Sequence, residues 1–449
     1  MSYPHSNAIL WNGREFTWDL VDDYVHSTAR RLKEIGVKPG YRVLLEAAPA
    51  PGMIIVFLAL LHIGAIACPF DPRLTASMFD SIKQKIAPFI LLAFTLPDQR
   101  FTGLRTFKID DVICLEPVER FMSASATGDF KELPPERAAT IIFSSGSTGD
   151  HKAVLHTFSA HWHNARGSAE AIPFGPGDRW LMSLPLYRIS GIAVIFRALF
   201  GKGTIILPDR NAPDLAQSII SNQPTHISLV PTQFLRLLEV LPQTAWGSFK
   251  AILIGGAPVP ALLIERAVQM ALPVFLTYGM TETASQIATS PLNEACEQGA
   301  RLLPYREACI IANEICVRGP VTFSGYVEGE KITNAFDANG WFHTGDRGVL
   351  NRPFLKVSGR RDRMFISGGE NIYPEIIEKA LLSYPAIIAA RVEPKADPRL
   401  GQVPKAFIRL GTGHVFNESD LRTMLKEHLL PFQIPKEFDL DPGYRFPDK

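Results

Sequence analysis

Thr140-Ile-Ile-Phe-Ser-Ser-Gly-Ser-Thr-Gly-Asp-His-Lys-Ala-Val-Leu-His-Thr157 is the stretch on which the reading of this chain turns. Ile141, Ile142 and Phe143 form a short apolar run of the kind that ends a buried strand, and Val154 and Leu155 open a second apolar piece. Between them lie small and hydroxyl residues. Gly146 and Gly149 let the backbone turn tightly and approach a ligand with no Cβ in the way. Successive backbone N–H groups in such a loop can form an anion nest. Ser144, Ser145, Ser147 and Thr148 add hydroxyl donors, and Lys152 adds a positive charge. That chemistry suits a polyphosphate. The spacing is not the Walker pattern, which closes on Gly-Lys-Ser/Thr. A polar surface turn uses the same residue types, so the loop alone leaves both readings open.

At 449 residues the chain exceeds one ordinary core, and two or more domains are expected. Hydrophobic residues make up 46% and charged residues 20%, as in a folded globular protein. A formal net charge of +1 without a long basic block argues against a general nucleic-acid binder, and Arg360, Arg361 and Arg363 are too short a cluster to change that. The five cysteines (Cys68, Cys114, Cys296, Cys309, Cys316) include no Cys-x-x-Cys pair and read as free buried thiols of a reducing compartment. The N-terminus lacks the pattern of a signal peptide. Met53 to Phe70 is nearly all apolar, but Gly64 divides it. It reads as a buried helix followed by a buried strand, not a membrane span. A cytoplasmic enzyme with no membrane span and no nucleic-acid partner is the expectation.

Asn12-Gly13 between Ala8–Trp11 and Glu15–Trp18 signals a hairpin. Thr17 is placed to cap a helix whose stripe is Val21, Tyr24, Val25, Ala29 and Leu32, ended by Gly36. Arg42–Leu45, Ile66–Cys68, Ala87–Ala93 and Ala138–Phe143 read as strands separated by helices, which predicts a parallel sheet covered on both faces. Phe158–Ala171 is a predicted helix. His156, His161 and His163 lie in or just before it, without the facing or the carboxylate that a metal site needs. Trp180–Leu186 is a predicted strand, Tyr187–Gly191 a turn, Ile192–Phe200 a helix and Thr232–Leu241 another. Further strands fall at 204–207, 226–230, 251–254 and 274–277. The last two run into Gly255-Gly256-Ala257-Pro258 and Tyr278-Gly279-Met280-Thr281-Glu282, as suits ligand binding at the carboxyl edge of a sheet. From about Ala308 the runs are shorter and β-like, and beyond Arg363 a compact α+β unit follows.

Behind the Ser/Gly/Thr-rich lysine loop come Tyr278-Gly-Met-Thr-Glu-Thr283, Gly340-Trp-Phe-His-Thr-Gly-Asp346, Gly359-Arg-Arg-Asp362 and Ser367-Gly-Gly-Glu-Asn-Ile-Tyr-Pro-Glu375. In this order they resemble the adenylate-forming superfamily of acyl- and aryl-CoA synthetases, adenylation domains and luciferases, over essentially the whole chain. The resemblance implies an α/β fold: a large N-terminal domain (1–361) of helix-covered sheets plus a small β region, and a small mobile α+β C-terminal lid (362–449), hinged at Asp362. It implies a reaction in which a carboxylate and ATP form acyl-AMP and pyrophosphate, and a thiol then displaces AMP. Two anions meet in the first step, so cations and donors are required. By resemblance, Ser144 to Gly149 and Lys152 cradle the β- and γ-phosphates. Thr281 contacts the α-phosphate and Glu282 holds Mg²⁺. Gly255, Gly256, Ala257, Pro258, Tyr278 and Gly279 wall the nucleotide, and Asp346 with Arg360 meets the ribose. Ser367, Gly368, Gly369 and Glu370 would line the CoA channel. Lys449 is the candidate adenylation lysine, although the residues before it depart from the family pattern. Lys436 looks like an ordinary lid lysine.

Leu184-Pro-Leu-Tyr-Arg-Ile-Ser-Gly191, Ser228-Leu-Val-Pro-Thr-Gln233 and Thr277-Tyr-Gly-Met-Thr-Glu-Thr-Ala-Ser-Gln286 are similar to the o-succinylbenzoate–CoA ligases of menaquinone synthesis. Such a substrate carries two carboxylates. Arg197, alone among Val194, Ile195, Phe196, Ala198 and Leu199, is costly to bury without an anion and is expected to hold the carboxylate that is not activated. A structural carboxylate partner, or a guanidinium reaching solvent, is the alternative. Ser190, Ser228 and Thr232 are neutral donors for the same pocket. Arg188 stands where the family usually has His, and His151 where it has Pro. The substrates implied are a small carboxylic acid, ATP with Mg²⁺, and CoA. Other aryl or acyl acids, a carrier-loading adenylation domain and a non-catalytic sensor stay open, as does the choice between monomer and homo-oligomer.

Overall fold

The computed structural model describes residues 6–96, 101–113, 134–145, 151–208, 214–360, 363–367, 370–397, 400–411 and 413–440. Two sheets of eight strands each carry the N-terminal body among the described residues. One runs, in spatial order, through Ser285–Pro291, Val274–Met280, Ala251–Ile254, His226–Leu229, Arg179–Leu181, Thr204–Ile206, Asn7–Trp11 and Arg14–Thr17. The other runs through Lys331–Thr333, Gly325–Glu328, His151–Thr157, Ala138–Ser145, Ile66–Phe70, Arg42–Glu46, Ile90–Ala93 and Thr106–Lys108.

A single core lies between them. Ile9, Trp180 and Ile205 of the first sheet and Val43, Leu45 and Ile142 of the second share it with the helices Trp18–Glu34, Pro51–Ile63, Phe158–Ala171 and Ile189–Gly201. This explains why Pro51–Ile63 is apolar on every side: it packs between two sheets. Its 13 residues reach about 20 Å, short of the ~30 Å hydrocarbon layer of a bilayer. Among the described residues no helix is long and apolar enough to cross a membrane. The helix ends at Gly64, in the left-handed region at φ 90°. There Arg137 Nη2 donates to the terminal carbonyls of Leu61 (2.7 Å) and His62 (3.3 Å). A Cβ at Gly64 would sit 2.2 Å from that nitrogen. Leu237, Leu238 and Leu263 cover the outer face of the first sheet, and Phe79, Ile82 and Ile86 that of the second. The body is therefore layered helix, sheet, helix, sheet, helix.

The opening hairpin forms as expected, with Asn12 and Gly13 both at positive φ and Thr17 Oγ1 accepting from Leu20 N (3.3 Å). The expectation of parallel sheets holds for the central strands and for the Thr106–Lys108 edge, while the other side of the second sheet and both outer pairs of the first are antiparallel. Ala138–Ser145 pairs parallel with Ile66–Phe70 but antiparallel with His151–Thr157, and Val274–Met280 turns back antiparallel onto Ser285–Pro291. The second of these antiparallel pairs is joined through the short turn Thr281–Thr283, where no crossover helix intervenes. The predicted strand 180–186 is limited to Arg179–Leu181, and the helix predicted from Ile192 starts at Ile189, so the expected turn is partly its first turn. Gly191 permits this: a Cβ there would lie 2.3 Å from Pro185 O. The helices Ala76–Ile86, Leu215–Asn222 and Ala261–Gln269 were not anticipated.

A third sheet of five strands carries Glu314–Arg318, Phe342–Asn351 and Phe354–Arg360. Beyond it, the Pro374–Leu382 and Glu418–His428 helices pack on Ile387–Asp397 and Gly401–Leu410 around Ile377, Leu381, Ile408, Leu421 and Leu425. This is the α+β unit expected at the C-terminus. Asp362 lies outside the described residues. Of the described cysteines, Cys68 and Cys316 are buried, Cys309 is half-buried and Cys296 is exposed, which corrects the expectation that all are buried; all four are free thiols.

Candidate active site

The strand Val274–Met280 carries Tyr278 and Gly279 and leads into one tight turn, Thr281–Thr283. The reversal is sharp. Ala284 and Ser285 both hold positive φ (51° and 120°), and a Cβ on Gly279 would meet Ser285 O at 2.0 Å. Thr283 Oγ1 donates within the turn, to Met280 O (3.2 Å) or Ser285 O (3.1 Å). Asn164 Nδ2 donates to Thr283 O and Gln286 O, both at 3.0 Å. His156 Nε2, on the strand after the lysine loop, donates to Thr281 O at 2.7 Å. The carbonyl acceptor fixes the tautomer, leaving Nδ1 toward Thr140 Oγ1 at 3.5 Å. Thr140 Oγ1 also meets His161 Nε2 at 2.7 Å. Burial pushes the pKa of His156 down to about 4 and that of His161 well below the usual range. Both are thus neutral scaffolding of the turn, and His163 is tied to Ser159 O on its own helix (2.9 Å).

Glu282 is buried, and Tyr326 Oη donates to its Oε1 at 2.9 Å. Tyr326 sits opposite Val154 in the sheet, which brings the Lys152 ammonium to 5.0 Å from its ring centroid. The loop lysine and the buried carboxylate therefore flank one phenol, although 130 positions separate them in sequence. Burial, then the Glu282 charge, raises the Tyr326 pKa, so the phenol stays a donor. Glu282 keeps further lone pairs for a cation, and a lone carboxylate fits a magnesium ion that bridges phosphates. Ser144 pairs with Lys152 and Ser145 with His151 in the hairpin, and Lys85 Nζ donates to His151 O at 2.6 Å. Gly146, Ser147, Thr148 and Gly149 lie outside the described residues.

Asp346 and Arg360 oppose each other across the third sheet, with Nη1 donating to Oδ1 at 3.1 Å. Tyr278 Oη donates to Oδ2 at 2.7 Å. Burial and the neighbouring Asp346 charge raise the Tyr278 pKa, so its proton stays. Three residues drawn from separate motifs thus meet at one carboxylate. Gly255, whose Cβ would lie 2.5 Å from Thr277 Cγ2, starts a loop in which Gly256 (φ 83°), Ala257 and Pro258 are exposed.

Among the residues expected at the acid pocket, Arg188 holds the N-cap position of the Ile189–Gly201 helix without a side-chain cap hydrogen bond and lies 5.7 Å over the Tyr187 ring; Ser190 is half-buried in the first turn. Arg197 is 4% exposed. Nε donates to Ser168 Oγ (3.0 Å) and Nη2 to Gln286 Oε1 (2.7 Å), and the guanidinium carbon lies 4.9 Å over Trp180. It neither snorkels nor pairs with a carboxylate among the described residues. Burial lowers its pKa to about 10, so it stays charged at neutral pH. Ser228 is buried with its hydroxyl unpartnered among the described residues, while Thr232 is exposed. Ser367 is buried and pairs with exposed Glu370 in a short hairpin. Gly368, Gly369 and Lys449 lie outside the described residues. No local signal in the sequence marks the roles of Tyr326, His156 and Gln286 in these contacts, although His156 and Gln286 lie within the ordered motifs.

The AMP-binding enzyme family model matches residues 1–327. The 2-succinylbenzoate–CoA ligase of Escherichia coli K12 is 33% identical over 429 residues, covering 95% of this chain and 89% of that protein. The Bacillus subtilis o-succinylbenzoate CoA synthetase in complex with its acyl-adenylate intermediate superposes with a TM-score of 0.85 at 30% identity, covering 99% of this chain and 93% of that one. The same synthetase with ATP and magnesium ion gives 0.83 at 30% identity, covering 98% and 93%. The ordered motifs, the two-part architecture and these likenesses agree: the chain belongs to the AMP-binding, adenylate-forming enzyme family that includes the 2-succinylbenzoate–CoA ligases.

Proposed function

We propose that this chain is an ATP-dependent, AMP-forming ligase that converts 2-succinylbenzoate to 2-succinylbenzoyl-CoA in menaquinone biosynthesis. The substrate's aliphatic carboxylate attacks the α-phosphorus of ATP, and pyrophosphate leaves. The CoA sulfur then attacks the acyl carbonyl, and AMP departs with the bonding pair. The observation that carries the choice of acid is Arg197: a buried guanidinium held by Ser168, Gln286 and Trp180, all neutral, on the helix that follows the acid-site turn. A positive charge built into an apolar layer, with no counter-ion among the described residues, suits an acid with a second carboxylate. Ser190, Ser228 and Thr232 complete that pocket, and Arg188 meets the activated carboxylate.

For the nucleotide half, the contacts among Lys152, Tyr326 and Glu282 and among Tyr278, Asp346 and Arg360 support the same reading. Lys152 and the Ser144–Gly149 loop take the β- and γ-phosphates, Thr281 the α-phosphate, and Asp346 with Arg360 the ribose hydroxyls. Gly255 to Pro258, Tyr278 and Gly279 bound the adenine. Glu282 would hold a magnesium ion, which would supply charge neutralisation between the two anions. In this reading residues 1–361 bind ATP and acid, and 362–449 form a lid turning at Asp362. Lys449 serves adenylation, and Ser367, Gly368, Gly369 and Glu370 guide CoA in thiolation. The location is cytoplasmic.

The test is CoA-thioester formation with ATP, Mg²⁺ and CoA, comparing 2-succinylbenzoate with benzoate, a medium-chain fatty acid and a phenylpropanoid acid. A kcat/KM at least about a hundredfold higher for 2-succinylbenzoate is expected, because a buried charge left without its counter-ion costs several kcal/mol. Comparable turnover of another acid would overturn the substrate, and Arg188 in place of the usual His would then mark the different specificity.

A further inference from the structure

A second buried guanidinium stands beside Arg197. Arg306 precedes the strand Glu307–Ile311 and is 7% exposed. Its Nη1 donates to Pro304 O at 2.6 Å. Nε and Nη2 are buried and have no hydrogen-bond partner among the described residues. The side chain packs so closely on Gly167 that a Cβ there would lie 2.5 Å from Nη1. The next residue on that helix, Ser168, accepts from Arg197 Nε. The two guanidiniums therefore contact consecutive residues of one helix. Their charges act on each other: burial first and then Arg197 lower the Arg306 pKa to about 9, and no carboxylate among the described residues offsets either group.

We propose that Arg306 is a second cation of the acid site and that it, together with Arg197, grips the carboxylate of 2-succinylbenzoate that is not activated. The assignment rests on the substrate proposed above. The atoms left free are the informative ones. Nε and Nη2 form the edge of a guanidinium that matches a carboxylate with two parallel hydrogen bonds. On Arg197 both of these nitrogens already donate, to Ser168 and Gln286. On Arg306 neither has a hydrogen-bond partner among the described residues. Arg197 thus supplies charge from a fixed position, and Arg306 supplies the bidentate grip. Two like charges buried side by side repel, and an anion between them turns that repulsion into affinity for a diacid. Neither group has that effect on an acid lacking the ring carboxylate.

The experiment compares 2-succinylbenzoate with 4-oxo-4-phenylbutanoate, the same acid without its ring carboxylate, in wild type, Arg306→Met and Arg306→Lys. Arg306→Met should cut the ratio of the two kcat/KM values by roughly thirtyfold or more, with KM for ATP changed less than about twofold. Arg306→Lys keeps charge without the fork and should fall between. If Arg306→Met does not fold, the same ratio is read from Arg306→Lys. An unchanged ratio, with both acids losing activity together, would show that Arg306 is only structural and overturn the proposal. A wild type that does not prefer the diacid would instead overturn the substrate reading, and this assignment with it.

Discussion

Asp346 shows how one side chain can be both a structural and a binding element. Its oxygens accept from Tyr278 (2.7 Å) and Arg360 (3.1 Å), and the proposed ribose contact would use the same carboxylate. Asp346→Ala should therefore do two things. Removing the acceptor that a buried phenol and a partly buried guanidinium share should cost about 1–3 kcal/mol of stability. Losing the acceptor for the ribose should weaken ATP binding by roughly tenfold or more, with the KM for the acid little changed. Calorimetric titration with ATP checks this; unchanged affinity would remove Asp346 from the nucleotide site. At this scale the sequence was legible where a residue type restricts the chemistry. A carboxylate in an ordered motif, a lysine behind a glycine loop and an arginine in an apolar helix each have few uses. Tyr326 and Arg306 were not legible, because their roles depend on which distant segment faces them. Tyr326 acquires its role by standing opposite Val154, and Arg306 by packing on Gly167. Neither pairing has a local signal.

Elements were legible where periodicity and punctuation agree. The Asn12-Gly13 hairpin, the Thr17 cap and the helix stop at Gly64 all form where the residues indicate. What local reading cannot supply is the neighbour of each strand. Asn7–Trp11 lies parallel to Thr204–Ile206, and the strands that flank the lysine loop pair antiparallel with each other. The turn after Tyr278 belongs to the same class. Its need for glycine at 279 comes from Ser285 O folding back to 2.0 Å from where a Cβ would be. Gly279→Ala should force the two strands apart, because the obstructing atom is backbone and has no rotamer to change. A stability loss of about 2–4 kcal/mol is expected, with a larger proportional loss in ATP–pyrophosphate exchange, since Thr281 and Glu282 move with the turn. Urea unfolding together with the exchange assay reads both; wild-type values in either would show that the hairpin tolerates the methyl.

For the whole molecule, the packing of helices between two sheets buries histidines as well as leucines, and this gives folding a pH dependence. His156 donates to Thr281 O, His161 meets Thr140 and stacks on Phe196, and His226 donates to Pro173 O while stacking on Trp180. Burial lowers all three pKa values, to about 4 for His156 and His226 and well below the usual range for His161. In the unfolded chain each titrates near 6.5. Between pH 6.5 and about 4, therefore, the unfolded chain binds protons that the folded chain refuses. The stability present above pH 6.5 is lost as the pH falls through that window, by about 1.4 kcal/mol per pH unit for each histidine. Carboxylates titrate mostly at the lower end of the window, so the slope between pH 6.5 and 5.5 belongs mainly to these histidines. Unfolding free energies measured by urea at pH 7.0, 6.0 and 5.5 should decline steadily. His226→Gln, which preserves an amide donor toward Pro173 O, should flatten the decline by one histidine's share. A flat profile for the wild type would mean that these rings gain protons in the folded state. The hydrogen bond from His156 to Thr281 would then not depend on a neutral ring, and the Thr281 turn would be steadied by a charge within the core.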